Sequence, residues 1–123
     1  MKVLVVEDDD LLRKSYERIL KGHHEFKLAA DPREARIILK EGFEPDVVLS
    51  DWNMPVMNGG EFCEILRALG NDVPFIIISA EDRSKMIEKI GANEALLKPF
   101  TPSVILLAVE KWGNKDVADQ KEE

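Results

Sequence analysis

Residues 45–62 read PDVVLSDWNMPVMNGGEF. Val47, Val48 and Leu49 give a strand over Asp46–Ser50 the apolar, β-branched character of a buried element. That strand drives into the carboxylate of Asp51, and Trp52-Asn53-Met54-Pro55 then breaks the pattern. A charge at the end of a buried strand is costly unless the chain brings matching groups to the same place.

Outward from this stretch, four more apolar runs read as strands: Met1–Val6, Phe26–Ala30, Pro74–Ser79 and Ala95–Leu97. Helical spacing fills the intervals. One helix follows the acidic run Glu7-Asp8-Asp9-Asp10, sets Leu12, Tyr16, Ile19 and Leu20 on one face, and ends at Gly22. Asp31-Pro32 opens the next, with Ala35, Ile38 and Leu39 facing inward before Gly42. The remaining helices are expected over Gly60–Leu69 (Phe62, Ile65, Leu66 and Leu69 on one face), Glu81–Ile90 and Val104–Trp112. Residues 1–113 then form one domain, and residues 114–123 a polar C-terminal tail or linker stub.

Five strands alternating with five helices predict an α/β fold. Near-continuous apolar strands require cover on both faces, so the sheet is expected to be parallel and doubly wound, a three-layer sandwich. Ligands in such sheets sit beyond the carboxyl ends of the strands, where the strand order reverses.

Composition narrows the function classes. A chain of 123 residues with 45% hydrophobic and 33% charged content folds as a globular domain. No apolar run approaches the roughly 20 residues of a membrane span, and Met1-Lys2-Val3-Leu4 turns acidic too soon for a signal peptide. A net charge of −7 argues against direct nucleic-acid binding. The single cysteine, Cys63, excludes an internal disulfide, fits a cytoplasmic location, and beside Phe62, Ile65 and Leu66 reads as a buried structural thiol. His23-His24 has only Glu25 nearby as a further ligand type and reads as a solvated loop.

The strand ends carry Glu7 and Asp8, Asp51, Ser79 and Lys98. Singly, each has a plainer reading: helix-starting acids, a turn cap, a local hydrogen-bonding hydroxyl, a surface cation. Together they place three carboxylates and one ammonium around one crevice. Crowded carboxylates take up a proton or a cation, and a hard divalent ion such as Mg2+ suits an all-oxygen site. Such a site suits phosphoryl transfer, with Asp51 on a central strand as the nucleophile and Glu7 and Asp8 holding the metal.

The ordered pieces VLVVEDD, PDVVLSDWNMPVMNG, PFIIISAE and LLKPF resemble the receiver domains of two-component response regulators. DWNMP followed by NG especially resembles the chemotaxis regulators of that family. The resemblance runs to about Trp112 and implies a flavodoxin-like sheet in the order 2-1-3-4-5. It implies that Asp51 accepts a phosphoryl group from a sensor histidine kinase or histidine phosphotransfer protein. Asp8 and Asp51 would bind Mg2+, with Glu7 acting through water and the Asn53 backbone carbonyl completing the ligands. Ser79 would be the switch hydroxyl and Lys98 the contact to another phosphoryl oxygen, with a cis Lys98-Pro99 bond. Trp52, Asn53, Ala80, Glu81 and Pro99 would modulate the site, Asn53 and Glu81 by setting dephosphorylation rate and Trp52 as a half-exposed reporter. Ala95 departs from the pattern, standing where receivers often carry an aromatic ring that swings on activation. The loop after Ser79 and the Glu81–Ile90 helix are therefore expected to carry the signal.

The same resemblance implies a switch rather than a turnover enzyme, acting on a downstream protein or an output domain, as a monomer or a phosphorylation-dependent homodimer. Three competing readings are weaker. An aspartyl-phosphate hydrolase wants an acid two residues beyond Asp51, where Asn53 stands; a flavin carrier wants a phosphate-cradling loop where EDDDLL would repel phosphate. A degenerate, binding-only receiver would lack pocket residues that are all present here. Val104-Ile105-Leu106-Leu107 offers either a partner surface or a wider core face.

Overall fold

The computed structural model describes residues 1–114. All but the first residue of the expected polar tail lies outside the described residues. The chain alternates β1 (Lys2–Val6), α1 (Asp10–Leu20), β2 (Glu25–Ala29), α2 (Pro32–Lys40), β3 (Val47–Asp51), α3 (Gly59–Ala68) and β4 (Phe75–Ser79). A 3-10 turn at Ser84–Met86, α4 (Ile87–Ile90), β5 (Glu94–Leu97) and α5 (Pro102–Gly113) follow. The five strands form one parallel sheet in the order β2-β1-β3-β4-β5, as expected.

Burial explains why the central strands are uninterrupted runs of apolar residues. β3 and β4 are buried at every position, while the edge strand β2 alternates with exposed Glu25 and Lys27. Their alternating side chains divide into two cores. Leu4, Val6, Val48, Phe75 and Ile77 pack with Ala35, Phe62, Cys63, Leu66 and Ile90 beneath α2–α4. Val3, Val5, Val47, Leu49, Ile76 and Ile78 pack with Tyr16, Leu20, Ile105 and Val109 beneath α1 and α5. Cys63 is fully buried, and burial pushes its thiol up to about 11, so it is the structural thiol expected. No described helix is long and apolar enough to cross a membrane.

Two expectations change, and one open alternative divides. The Glu81–Ile90 helix is a loop, a 3-10 turn and a single four-residue helix. Neither of those two short elements has a side-chain cap, and Ser79 and Asp82 instead accept from the backbone N–H groups of Glu81 and Ser84, holding the segment in turns. Leu69 does not join the inward face of α3: it is the C-cap residue and stands 64% exposed. Val104-Ile105-Leu106-Leu107 divides, with Ile105 fully buried and Leu107 66% exposed, because one helical turn samples both faces.

Candidate functional site

The strand order reverses between β1 and β3, which pair so that Val6 faces Ser50. Glu7 therefore comes level with Asp51 at the carboxyl end of the sheet. On the other side Asp51 pairs with Ile78 and Ser79 with Leu97, bringing Ser79 and Lys98 to the same rim. The register alone converges Glu7, Asp8, Asp51, Ser79 and Lys98, although they are spread over some ninety residues of chain.

Local chemistry fixes each approach. Asp9 caps α1 by accepting from the Leu12 backbone, which starts the helix just beyond the acidic turn. Asn58 and Glu61 close a capping box at α3, ending the loop that leaves Asp51. Gly59 is needed there: a Cβ on it would stand 2.4 Å from the Asp51 carbonyl oxygen.

Lys98 Nζ lies 2.9 Å from Asp51 Oδ1 and 3.5 Å from Glu7 Oε1. Glu7 is 1% exposed and Asp51 5%. One ammonium thus faces two buried carboxylates, with a third, the exposed Asp8, beside them; one carboxylate oxygen from each of the three falls within 4.8 Å of the others. Burial, and then the charge of Asp51, raise the Glu7 carboxyl from 4.5 to about 7. Burial lowers the Lys98 ammonium, but its hydrogen bond to Asp51 and the charges of Glu7 and Asp51 outweigh that and leave it above its usual value. Glu7 Oε1 is buried and receives no hydrogen bond. An under-neutralised set of hard oxygen donors, with a buried oxygen that meets Lys98 only at 3.5 Å and has no hydrogen bond, fits a divalent cation.

Ser79 is 1% exposed and its Oγ accepts from the Glu81 backbone N–H at 3.1 Å. Lys98-Pro99 is cis. Ala80, Asn53 and Glu81 are exposed at the rim, and Ala95 is half-buried against the core beneath α2–α4. Among the described residues His23 and His24 join no carboxylate cluster; His24 Nδ1 lies 3.4 Å from the amino group of Met1, and burial and that amine lower its pKa.

Trp52 corrects the expectation of half exposure. It is only 8% exposed, because Gly60 leaves room for the ring (a Cβ there would come within 2.7 Å of it) and the Arg83 guanidinium covers it at 4.4 Å. The arginines are what the sequence reading missed. Arg13 Nη1 donates to the carbonyls of Glu7 at 2.8 Å and Asp8 at 3.0 Å, and pairs with Asp10, bracing the acidic turn from the first turns of α1. Arg83 reaches both Trp52 and Ser79. The only sequence signal was their spacing, six residues beyond Glu7 and four beyond Ser79.

The family model for the response regulator receiver domain matches residues 3–110. The chain belongs to the response regulator receiver domain family. Its relatives include a chemotaxis protein CheY homolog of Campylobacter jejuni, 36% identical over 112 residues that cover 85% of this chain and 86% of that one. The chemotaxis protein CheY4 of Vibrio cholerae superposes with a TM-score of 0.83 at 32% identity, over 90% of this chain and 97% of that one. The response regulator TrrA of Thermotoga maritima, solved in complex with Mg2+ and BeF, matches with a TM-score of 0.79 at 26% identity, covering 90% and 97%. This receiver domain is a phosphoacceptor of two-component signalling, and its acidic cluster fits a divalent metal. Members of the family are switches that work with histidine kinases or phosphotransfer proteins and with output partners.

Proposed function

We propose that Asp51 is the residue that receives the phosphoryl group, in a reaction that depends on Mg2+. The observation that carries this reading is Lys98 bridging Asp51 and Glu7 in a buried crevice at the switch point of the sheet. Lys98 holds Asp51 Oδ1, which leaves Oδ2 to attack phosphorus. The new bond joins Oδ2 to phosphorus as the bond from phosphorus to the donor's histidine nitrogen breaks, and that nitrogen then takes a proton. Lys98 meets the charge on one phosphoryl oxygen, and the Ser79 hydroxyl turns from the Glu81 backbone to donate to another. Mg2+, held by Asp8, Asp51, the Asn53 carbonyl and, through water, Glu7, would supply the remaining positive charge.

Asn53 and Glu81, exposed at the rim, flank the approach of water and set the lifetime of the acyl phosphate, with slow self-hydrolysis rather than turnover. Trp52, Ala80 and Pro99 shape the surrounding wall. An apolar groove lined by Leu12, Ile19, Pro99 and Phe100 beside Lys98 offers the donor a docking surface, and Tyr16 stacked on Phe100 at 5.3 Å fixes its floor. With Ala95 in place of a swinging ring, the readout falls to residues 80–90. Exposed Leu97, Val104 and Leu107 offer apolar surface for the downstream protein or output domain, or for a phosphorylation-dependent homodimer. The functional unit is residues 1–113, with residues 114–123 a tail or linker, working in the cytoplasm.

Intact mass after incubation with acetyl phosphate and Mg2+ tests the assignment. One added phosphoryl group on the wild type, none on Asp51→Asn and none without metal is the expected result. An unchanged adduct on Asp51→Asn, or no adduct on a wild type that binds Mg2+ and beryllofluoride with no slowly hydrolysed species, would overturn it.

A further inference from the structure

The loop of residues 80–83 joins a buried hydroxyl to a 3-10 turn and a helix of only four residues, and one side chain spans it. Arg83 is a long cation in an exposed loop, yet its side chain is only 21% exposed. Its guanidinium lies 4.4 Å over the Trp52 ring, its Nε donates to Ser79 Oγ at 3.4 Å, and its Nη2 pairs with Glu81 at 3.2 Å. Ser79 Oγ therefore accepts from two groups of its own loop, the Glu81 backbone and Arg83. Trp52 in turn follows Asp51 directly and bonds β4 through its backbone N–H to the Ile78 carbonyl at 2.9 Å. Freezing an arginine in one conformation costs rotamer entropy, which these contacts must offset.

From this geometry we infer that Arg83 is a positioning residue, a latch that ties the Ser79 hydroxyl to Trp52 and holds the 80–83 loop in its resting form. The inference rests on the reading of Asp51 as the phosphoacceptor. Both loop donors use lone pairs of the hydroxyl and leave its proton free, but rotating Oγ toward a phosphoryl oxygen on Asp51 carries it away from Arg83, whose contact is already the longer of the two at 3.4 Å. Turning it takes the polar anchor from Arg83 while leaving the guanidinium on the indole. Arg83 thus biases the equilibrium toward the unphosphorylated form, and its interaction with Ser79 exists only there, which is the condition for shifting a two-state population. The pair also gives Trp52 a reason to report the state of Asp51: the indole sees the cation, and the cation sees the hydroxyl.

The test is a double-mutant cycle on Ser79 and Arg83 in a Trp112→Phe background, so that Trp52 is the only indole. Affinity for beryllofluoride with Mg2+, read from Trp52 emission and checked by calorimetry, gives the coupling. Arg83→Ala should bind the mimic about threefold to tenfold more tightly, the range set by loss of one ordinary hydrogen bond to the competing form. Arg83→Lys, which keeps a cation but not the planar fork, should fall between. In a Ser79→Ala background the Arg83 substitution should have no effect. Weaker mimic binding by Arg83→Ala would show that the guanidinium serves the phosphoryl group instead, and an equal effect with and without Ser79 would show that the two residues are not linked. Either result overturns the latch. A failure of the Asp51 reading looks different: the parent protein itself would gain no phosphoryl mass and bind no mimic.

Discussion

The two halves of the crevice are built to different standards. On one side, Glu7 and Asp51 stand at the ends of the central strands β1 and β3, the strand residues just before them are fully buried, Lys98 pairs with both carboxylates, and Arg13 holds the backbone carbonyls of Glu7 and Asp8. On the other, β4 gives way to four residues of loop, a 3-10 turn and a single helical turn without a side-chain cap. That segment is held by bonds from backbone N–H groups to Ser79 and Asp82, by Arg83, and by the packing of Met86 and Ile90. Position-critical chemistry sits where packing over-determines it. The proposed readout falls on a stretch held by few independent constraints, the low-stability kind of segment from which conformational switches are drawn.

Truncating one core residue on each side sharpens this contrast. Leu49 is fully buried in β3 within the core beneath α1 and α5, so Leu49→Ala should cost about 2–5 kcal/mol in denaturant unfolding. Met86, partly buried under the 3-10 turn, should cost only about 1 kcal/mol as Met86→Ala. Equal costs would erase the distinction between a rigid and a loosely held side.

A smaller effect comes from the charge stored on the rigid side. The Glu7 carboxyl is raised from 4.5 to about 7, so between those values the folded protein keeps a proton that the unfolded chain has lost. Stability of the metal-free protein should therefore fall as pH rises from about 4.5 to 7 and level off above. Glu7→Gln should remove that slope and, at pH 8 without metal, raise stability by on the order of 2 kcal/mol. Metal binding should release protons near neutral pH in the wild type and fewer in Glu7→Gln, which calorimetry in buffers of different ionisation enthalpy would read. A flat stability profile for the metal-free wild type would contradict the picture of an under-neutralised crevice.

Most of the rigid side was legible in the sequence, and most of what was missed lies around the loose side. β1, β3 and β4 are apolar runs too uniform for a half-exposed element, and each runs directly into a polar group, so their order along the chain announces the crevice. The Glu81–Ile90 segment has helical composition, but hydrogen bonds to Ser79 and Asp82 compete with its first turn, and no periodicity count weighs that competition. Trp52 looked like an indole at a loop surface. Its burial depends on room left by Gly60 and cover from Arg83, contacts between residues far apart in sequence. Arg13 and Arg83 drew no assignment from the sequence for the same reason: beyond their local acidic neighbours Asp10 and Glu81, their partners are carbonyls, a hydroxyl and a ring face, which no charge pattern marks.

Hydrogen exchange with and without Mg2+ and beryllofluoride tests most directly the claim that a phosphoryl group on a rigid acidic frame is read out through residues 80–90. The expected result is a change in protection confined to the loop after Ser79, the 3-10 turn and α4, with β1 and β3 unaltered. Unchanged exchange over residues 80–90 in a protein that has demonstrably bound the mimic, or a change centred on β5 around Ala95, would contradict it.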